Sequence, residues 1–482
     1  MGERGRVKYL GSRVRFLGEC SKSVSSHVSC LRLSGRWPPR PPHGFVGGMT
    51  IGAGPARASG PTQVRKIAFL RSVGIRRADP CIQRAARELA ADGIEAGLFH
   101  TSGTAGDDDF PGHRERLDRG VTPRETADAV AAWGADAAVS ISLPCENALR
   151  DAAAKAFLDA VGIPTVMTPL AVTMLLVDKW ETKQLCRRAG LDVPDGFHVD
   201  SDLLAGRGLP VPGYRDAPRV QAERVGYPLM SKPVWDSTST GIRTLRSPAD
   251  LDAHLTAGPE TVSTVVEQVV EGDLCSVDIV GRPGSYRVLP PCWTGRAGAE
   301  PVFTVADLGW CGPREEADTA FADVARTLAG LCGNLGVHGS VNVDMIYTGG
   351  RFVVLEINPR IGGATTLSCA ASGNNTFTSL ARMARGLPHT GGMARRTCWA
   401  VEFLAEDGIQ PKAPAELRRR VRVVTAHGLV IDGVSHGDIV VFTLAQGEED
   451  RTVRALWELH EASGFPTTEV MAKISALLDP NR

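Results

Sequence analysis

The stretch RFVVLEINPRIGG, residues 351–363, has the composition of a β-strand that ends in polar side chains. Aromatic and β-branched residues favour a strand, and Glu356, Asn358 and Arg360 then follow at every second position. Successive strand side chains point to opposite faces, so these three share one face. Pro359 removes a ladder donor and helps to end the strand. A carboxylate, an amide and a guanidinium on one face of an apolar strand need an explanation.

The preceding segment, residues 339–350, is predicted to pair with this strand as a hairpin because it ends in Gly-Gly. A two-residue loop would pair Asp344 with Leu355 and place Asp344 and Glu356 on opposite faces. A three-residue loop, 349–351, pairs Asp344 with Glu356. Hydrophobic sorting selects the three-residue loop. One face is then apolar, with Val341, Val343, Met345 and Tyr347 beside Val353, Leu355 and Ile357, and the other carries Asn342, Asp344, Glu356 and Asn358.

Two carboxylates directly opposite each other repel unless a cation lies between them. Asp344 and Glu356, with the amide oxygen of Asn358, are hard ligands that suit Mg²⁺ or Mn²⁺ rather than zinc. Mg²⁺ held by few protein groups completes its shell with waters and substrate phosphates. The alternative is a solvated polar sheet face. The coincidence of these residues with Arg360 favours the ion site.

Three lysines are candidates to meet phosphates. Lys179 and Lys183 lie one helical turn apart, and Lys232 ends a predicted strand. A lysine is usually a solvated surface charge, but lysine is rare in this chain. No G-x-x-x-x-G-K-[ST] occurs, which excludes a P-loop. Small residues that could close over phosphates and present backbone N–H groups follow Lys232, namely Ser237, Thr238, Ser239 and Thr240.

Composition bounds the class of protein. The chain has 482 residues, which suggests two to four domains, and its 43% hydrophobic and 22% charged residues are typical of a globular protein. Zero net charge gives no reason to expect nucleic acid or an anionic membrane. No apolar run is long enough for a transmembrane helix. The 11 cysteines form no C-x-x-C pair, so we expect reduced thiols and a cytoplasmic protein.

The chain divides into four predicted regions. Residues 1–61 are predicted to be a disordered extension, with residues 1–48 Arg- and Ser-rich; a transit peptide or translation from upstream of a start at Met49 would each explain them. Strand and helix alternate over 62–168, which predicts a small parallel α/β domain. Residues 169–395 are predicted to be α+β with antiparallel sheets, and 396–482 a C-terminal α+β region.

Five motifs then occur in the order of the ATP-grasp superfamily: DK, YPLMSKP, VVEQVVEG, NVDMI and LEINPRIGG. Over about 62–395 the chain resembles the carbamoyl phosphate synthase, biotin carboxylase and D-alanine–D-alanine ligase branches. The resemblance implies an α/β and α+β fold, in which an ATP-grasp domain follows a small parallel pre-ATP-grasp domain. The terminal D…E-x-N-P-R-x-G-G is its most specific part.

The resemblance also implies residue roles. Asp344, Glu356 and Asn358 would hold Mg²⁺ on the phosphates of ATP, and Arg360 would face the carboxylate or the acyl-phosphate. Phosphates would be contacted by Lys232 and by Lys179 or Lys183. Glu267 would meet the adenine amino group, with the backbone near Val269 and Val270 at the base edge, and Glu271 or Asp273 would meet the ribose.

Two positions depart from the family pattern. Leu274 stands where relatives often have an acidic residue at the ribose, and Asn342 stands where peptide ligases often have arginine. Arg360 would therefore carry more of the acyl-phosphate stabilisation. Cys275 and Cys369 are expected to be core thiols, because this chemistry needs no dedicated nucleophile.

The leading prediction is an ADP-forming ligase that activates a carboxylate as an acyl-phosphate and joins it to an amine, with Lys232 and Arg360 as the catalytic side chains. Its partners would be a small-molecule carboxylate and amine, and a homodimer is an open arrangement. A carboxylase or carbamoyl-phosphate enzyme, an acyl-carrier ligase and a non-catalytic ATP-binding regulatory protein are the alternatives. The sequence has no biotin-carrier M-K-M motif.

Overall fold

A computed structural model describes residues 64–72, 78–101, 110–207, 211–236, 241–257, 262–297, 308–405, 413–431 and 434–479. The predicted extension 1–61 lies outside the described residues. So do four predicted phosphate-loop residues, Ser237, Thr238, Ser239 and Thr240.

The N-terminal layer, residues 64–168, is a five-stranded parallel sheet with the order β3-β2-β1-β4-β5. Its helices follow the predicted pattern, and Thr122 and Glu125 form a complete capping box in front of Pro123. This confirms the predicted parallel α/β layer. Its elements are β1 (Lys66–Arg71), α1 (Asp79–Ala91), β2 (Glu95–His100), β3 (His113–Arg116), α2 (Pro123–Ala132), β4 (Ala137–Ser140), α3 (Cys145–Ala160) and β5 (Thr165–Val166).

A second region carries the lysines on a four-stranded antiparallel sheet and two helices. The helical segment after 169 is two helices, because Asp178 ends the first and caps the second by accepting from the N–H groups of Trp180 and Glu181. The sheet has the order β6-β9-β7-β8. The elements are α4 (Leu170–Val177), α5 (Lys179–Arg188), β6 (Gly196–Val199), α6 (Ser201–Leu204), α7 (Asp216–Val225), β7 (Leu229–Pro233), β8 (Arg243–Leu245), α8 (Pro248–Ala257) and β9 (Thr264–Gln268).

A ten-stranded sheet forms the rest of the fold, and the C-terminal strands extend it through β13 and β17. The domain boundary predicted between residues 395 and 396 therefore separates strands that belong to one continuous sheet. The division into two domains there stays a prediction. The elements are β10 (Gly272–Arg282), β11 (Ser285–Val288), β12 (Cys292–Ala297), β13 (Gly309–Cys311), α9 (Glu315–Leu335), β14 (Gly339–Thr348), β15 (Arg351–Asn358), α10 (Thr365–Ser372), α11 (Thr376–Ala384), β16 (Gly392–Met393), β17 (Trp399–Ala405), α12 (Ala413–Arg420), β18 (Arg422–Ile431), β19 (Val434–Leu444), α13 (Glu449–Ser463) and α14 (Thr468–Leu477).

The β14–β15 hairpin corrects one prediction. Thr348 pairs with Arg351, so the loop has two residues, and Gly349 and Gly350 both take positive φ, 53° and 77°. The predicted three-residue loop is therefore wrong. Asp344 still pairs with Glu356, because the register shifts between Asp344 and Met345 and leaves Leu355 as an extra residue. A β-bulge does what the longer loop was expected to do.

The bulge also changes which side chains of β15 reach the core. Phe352, Val354 and Ile357 pack with Met345 in the main hydrophobic cluster beneath α9. Val353 and Leu355 do not join that cluster, contrary to the predicted alternation. One strand can thus present apolar residues at odd and even positions because the extra residue inverts its faces.

The N-terminal layer shares a core with the segment that follows β15. Ile361, Phe377 and Leu380 pack in one buried cluster with Ile67 and Val139 of β1 and β4. This contact brings the carboxyl end of β4 and the start of α3 against the end of β15. Among the described residues, no helix combines the length and the apolar character needed to cross a bilayer.

Candidate active site

Three residues of β14 and β15 form what we call the acidic floor: Asp344, Glu356 and Asn358. Asp344 lies opposite Glu356 and receives a hydrogen bond of 2.8 Å from Ser276 Oγ on β10. The Asn358 amide nitrogen lies 3.2 Å from Asp344 Oδ2 and 3.3 Å from Glu356 Oε1. The structure thus brings the predicted ligands together.

The two acids of the acidic floor titrate differently. Burial, and then the charge of Glu356, raise the pKa of Asp344 to about 7. Burial also opposes ionisation of Glu356, but Lys179 and Lys232 outweigh it and hold the pKa of Glu356 below its usual value. For Asp344, burial and the neighbouring Glu356 thus outweigh the opposing effect of Arg360, whereas for Glu356 the lysines prevail.

Lys179 connects the acidic floor to the loop after β7. Its Nζ lies 3.4 Å from Glu356 Oε2 and donates to the Asp236 carbonyl at 2.6 Å. Asp236 directly precedes the small residues that were predicted to cover phosphates. Lys179 thus lies between an acid and the loop after β7, and its contact with phosphate stays a prediction.

Lys183 and Lys232 both bind Glu267 instead of standing free. Glu267 Oε2 lies 2.6 Å from Lys183 Nζ and Glu267 Oε1 lies 2.7 Å from Lys232 Nζ. Lys183 and Glu267 side chains are 2% and 1% exposed, whereas that of Lys232 is 11% exposed. Lys183 also donates to the carbonyl of Leu355, the bulge residue, at 3.2 Å.

This triad bears on the predicted role of Glu267. Both of its carboxylate oxygens lie against lysines in the interior, and its contact with adenine stays a prediction. Burial lowers the pKa of Lys183 despite Glu267. Burial has the same effect on Lys232, but Glu267 outweighs it and raises the pKa of Lys232. Lys232 is the member of the triad that reaches towards the acidic floor, and Lys183 supports it from the core.

Arg360 follows the acidic floor and is partly enclosed. Its Nη1 donates to the Ile361 carbonyl at 2.9 Å, and its buried Nε has no hydrogen-bond partner among the described residues. Burial opposes the charged form of Arg360, but its neighbours Cys145, Asp344 and Glu356 outweigh it and raise the pKa of Arg360, so the guanidinium stays charged. A charged group with an unused donor is suited to an incoming carboxylate or phosphate.

Asn342 does not point to a substrate. Its amide nitrogen donates to Ser276 Oγ at 2.7 Å and to Asp278 Oδ1 at 3.0 Å, and the residue is 2% exposed. The backbone of Gly362 passes so close that an added Cβ would lie 2.3 Å from the Asn342 amide nitrogen. Because Asn342 is engaged with Ser276 and Asp278, the stabilisation of an acyl-phosphate by Arg360 stays a prediction in which Asn342 takes no part.

The predicted base edge lies in the link between β9 and β10. The Val269 N–H lies 3.4 Å from the Pro228 carbonyl, Val270 is half-buried, and Glu271 is exposed. Asp273 binds Arg314 at 2.7 Å, so it is already engaged in an ion pair. Contacts of this link with a base and a ribose stay predictions.

Sequence reasoning missed Ser276, Asp278 and Cys145, which all contact the acidic floor or its neighbours. Ser276 faces Asp344 because β10 pairs antiparallel with β14. Alternation along β10 also places Asp278 on the face of Ser276, which is a signal that could have been read. The contact of Cys145 crosses 213 residues and has no local signal.

The donor set fits magnesium. Two facing carboxylates and an amide are hard oxygen ligands, and a cation bound between the carboxylates would oppose the effect of burial and of Glu356 on the pKa of Asp344. Within the described residues, no group of three or more His, Cys, Asp or Glu side chains could hold a metal alone. Phosphate oxygens and waters would therefore have to complete the shell.

Comparison with known proteins agrees with this geometry. Residues 176–364 match the ATP-grasp domain family, a range that includes the three lysines, Glu267 and the acidic floor. The similarity to ATP-grasp domains thus covers the part of the chain that holds the candidate site.

Among curated relatives, the D-alanine–D-alanine ligase of Halorhodospira halophila is 30% identical over 221 residues, which is 43% of this chain and 64% of that enzyme. The D-alanine–D-alanine ligase of Desulforudis audaxviator is 26% identical over 225 residues, or 45% and 69% of the two chains. This chain therefore matches only about two thirds of the length of each of these ligases.

Solved structures share the fold over a longer range. The match with the L-amino acid ligase of Bacillus licheniformis covers 83% of this chain and 98% of that enzyme, with a TM-score of 0.60 and 17% identity. The N5-carboxyaminoimidazole synthase of Aspergillus clavatus also covers 83% and 98%, with a TM-score of 0.61 and 14% identity. The ATP-grasp domain and the N-terminal layer thus occur together in known folds.

Proposed function

We propose that this chain is an ATP-dependent ligase that joins a carboxylate to an amine and forms ADP. The observation that carries the proposal is the pairing of Asp344 with Glu356 among three cations, Lys179, Lys232 and Arg360. Such a set suits a divalent ion, phosphates and a carboxylate at once. The two D-alanine–D-alanine ligases described above are carboxylate–amine ligases of the same class, which supports the proposal.

The proposed division of labour follows from the contacts. Bound ATP would supply the phosphoryl group, and Mg²⁺ would neutralise negative charge on the phosphates. Asp344, Glu356 and the Asn358 oxygen would hold the ion, and Lys179 and Lys232 would orient phosphates.

Arg360 would hold the carboxylate and stay charged as negative charge builds beside it. Positioning and charge neutralisation carry this chemistry, so no side-chain nucleophile is needed. Cys275 and Cys369 are 2% and 5% exposed, as expected for core thiols.

The amine is the open substrate. An amino acid would give a dipeptide, and peptide or natural-product biosynthesis is the setting we propose. A cytoplasmic location and a homodimer stay predictions.

The test is incubation of the protein with ATP, Mg²⁺ and mixtures of amino acids, followed by ADP release and mass spectrometry. We expect ADP and an amide product in equal amounts. Glu356→Gln should lower the rate by about 100-fold or more. Glu316→Gln, on the exposed face of α9, is the matched control and should keep wild-type activity.

The other outcomes identify the alternatives. ADP release that requires bicarbonate and no amine would assign a carboxylase-type reaction. ATP binding without ADP release in any mixture would assign a binding protein. Wild-type activity of Glu356→Gln would remove Glu356 from the metal site.

A further inference from the structure

Cys145 connects the N-terminal layer to the acidic floor. It is the first residue of α3, follows Pro144, and is 7% exposed. Its Sγ lies 3.0 Å from the Asn358 Oδ1, to which the thiol donates. Arg360 is also close enough to this thiol for the two groups to affect each other's pKa. One thiol therefore contacts a predicted metal ligand and lies near the predicted carboxylate-binding arginine.

The orientation of the Asn358 amide gives this contact a function. Without an ion, the Asn358 nitrogen faces Asp344 and Glu356, and its oxygen faces Cys145. Only the oxygen can bind a cation, because the amide nitrogen is a donor without a free lone pair. An ion on the acidic floor therefore requires the amide to turn by about half a revolution.

After that turn the amide nitrogen faces Cys145. A thiol is both a weak donor and a weak acceptor, so the same Sγ can accept from the nitrogen. An apolar side chain at this position would satisfy neither orientation and would leave a buried amide group without a partner, which is costly.

We propose that Cys145 is a positioning residue for Asn358: it donates to the amide oxygen in the ion-free site and accepts from the amide nitrogen when the ion is bound. The inference rests on the magnesium site of the proposed function. Under this proposal, the N-terminal layer contributes a hydrogen bond to a metal ligand of the ATP site. Partners of this kind commonly change metal affinity by about 10- to 100-fold when they are removed.

The experiment measures Mn²⁺ binding to the full chain with ADP by electron paramagnetic resonance. We expect Cys145→Ala to weaken Mn²⁺ binding about 10-fold and Cys145→Ser, whose hydroxyl also donates and accepts, to restore most of it. ADP binding without metal should be unchanged in both. Cys311→Ala removes another fully buried thiol, on β13, and should leave Mn²⁺ binding unchanged.

A double-mutant cycle removes the effect of packing. In the Asn358→Ala background, Cys145→Ala should produce no further loss of Mn²⁺ affinity. If Cys145→Ala binds Mn²⁺ as Cys311→Ala does, or if Cys145→Ser is as weak as Cys145→Ala, the proposal is overturned. If Cys145→Ala does not fold, the cycle uses Cys145→Val, which fills the space of the thiol but can neither donate nor accept a hydrogen bond.

The readout separates this proposal from the ligase assignment. Wild-type protein that binds Mn²⁺ with ADP, yet joins no substrates, would overturn the ligase activity and leave the role of Cys145 testable by the same comparison. Wild-type protein that binds no Mn²⁺ with ADP would overturn the metal site and the role of Cys145 together.

Discussion

Lys183 and Glu267 form an ion pair of 2.6 Å whose side chains are 2% and 1% exposed. The second oxygen of Glu267 holds Lys232 at 2.7 Å. One anion thus serves two cations, and the triad keeps a net positive charge beside the acidic floor. Phosphates that reach Lys232 would meet a lysine already fixed in direction, which lowers the entropy lost on binding.

Glu267→Gln should destabilise the protein strongly. The change leaves the buried Lys183 without its acidic partner, a situation that commonly costs about 3–5 kcal/mol. Unfolding by denaturant, followed by circular dichroism, measures the loss. Glu271→Gln changes an exposed acid nearby and should alter the free energy of unfolding by less than about 0.5 kcal/mol. Equal stability of the two variants would contradict the triad.

Asp344→Asn should stabilise the metal-free protein at pH 8. Burial and Glu356 raise the pKa of Asp344 from 3.8 to about 7, so the folded state holds this proton to higher pH than the unfolded state. The stability due to the protonated form is full below about pH 4 and is lost as pH rises through about 7.

The pKa shift of Asp344 from 3.8 to about 7 sets an upper bound of about 4 kcal/mol on this effect. Thermal unfolding in EDTA at pH 5 and pH 8 measures it, and the advantage of Asp344→Asn should appear at pH 8. Mg²⁺ with ADP should stabilise the wild type and not the variant. A wild type at least as stable as the variant in EDTA at pH 8 would refute the prediction.

Gly362→Ala should destabilise the fold by about 2 kcal/mol or more. Its Cβ would lie 2.3 Å from the Asn342 amide nitrogen and 2.5 Å from Asp278 Oδ1, both of which are buried. Gly330→Ala, on α9, is the control. Its added Cβ would meet nothing within 4 Å, so the variant should raise the free energy of unfolding by about 0.5–1 kcal/mol. The midpoints of denaturant unfolding measure both changes. If Gly362→Ala leaves the stability unchanged, the packing around Gly362, Asn342 and Asp278 is loose.

Gly349→Asn should be tolerated, whereas Gly350→Val should destabilise by about 1–2 kcal/mol. Both glycines have positive φ, which matches a type I′ turn, and asparagine accepts this conformation at the first position. Thermal unfolding of the two variants measures the difference. A Gly350→Val variant as stable as wild type would show that the turn does not constrain the hairpin.

Much of the fold could be predicted from local patterns. The alternation of strand and helix gave the parallel N-terminal layer, and the polar residues of β15 gave the acidic floor with Asp344 opposite Glu356. Periodicity carries this information because buried faces repeat at 2.0 or 3.6 residues.

The errors occurred where the pattern is interrupted. The bulge at Leu355 shifts the register, so alternation counted along β15 gave the wrong loop. The two lysines that converge on Glu267 could not be predicted either, because they are distant from it along the chain. Cys145 was missed for the same reason, since its partner Asn358 lies far along the chain. Long-range contacts have no period to read.

The shared core between the N-terminal layer and the segment after β15 limits how this protein can be taken apart. Ile361, Phe377 and Leu380 are buried against β1 and β4, so cutting the chain at residue 169 would expose them to water. Residues 176–364 are therefore not expected to fold as an independent unit. A different N-terminal layer could replace the present one only if it provided a matching apolar surface for these three side chains.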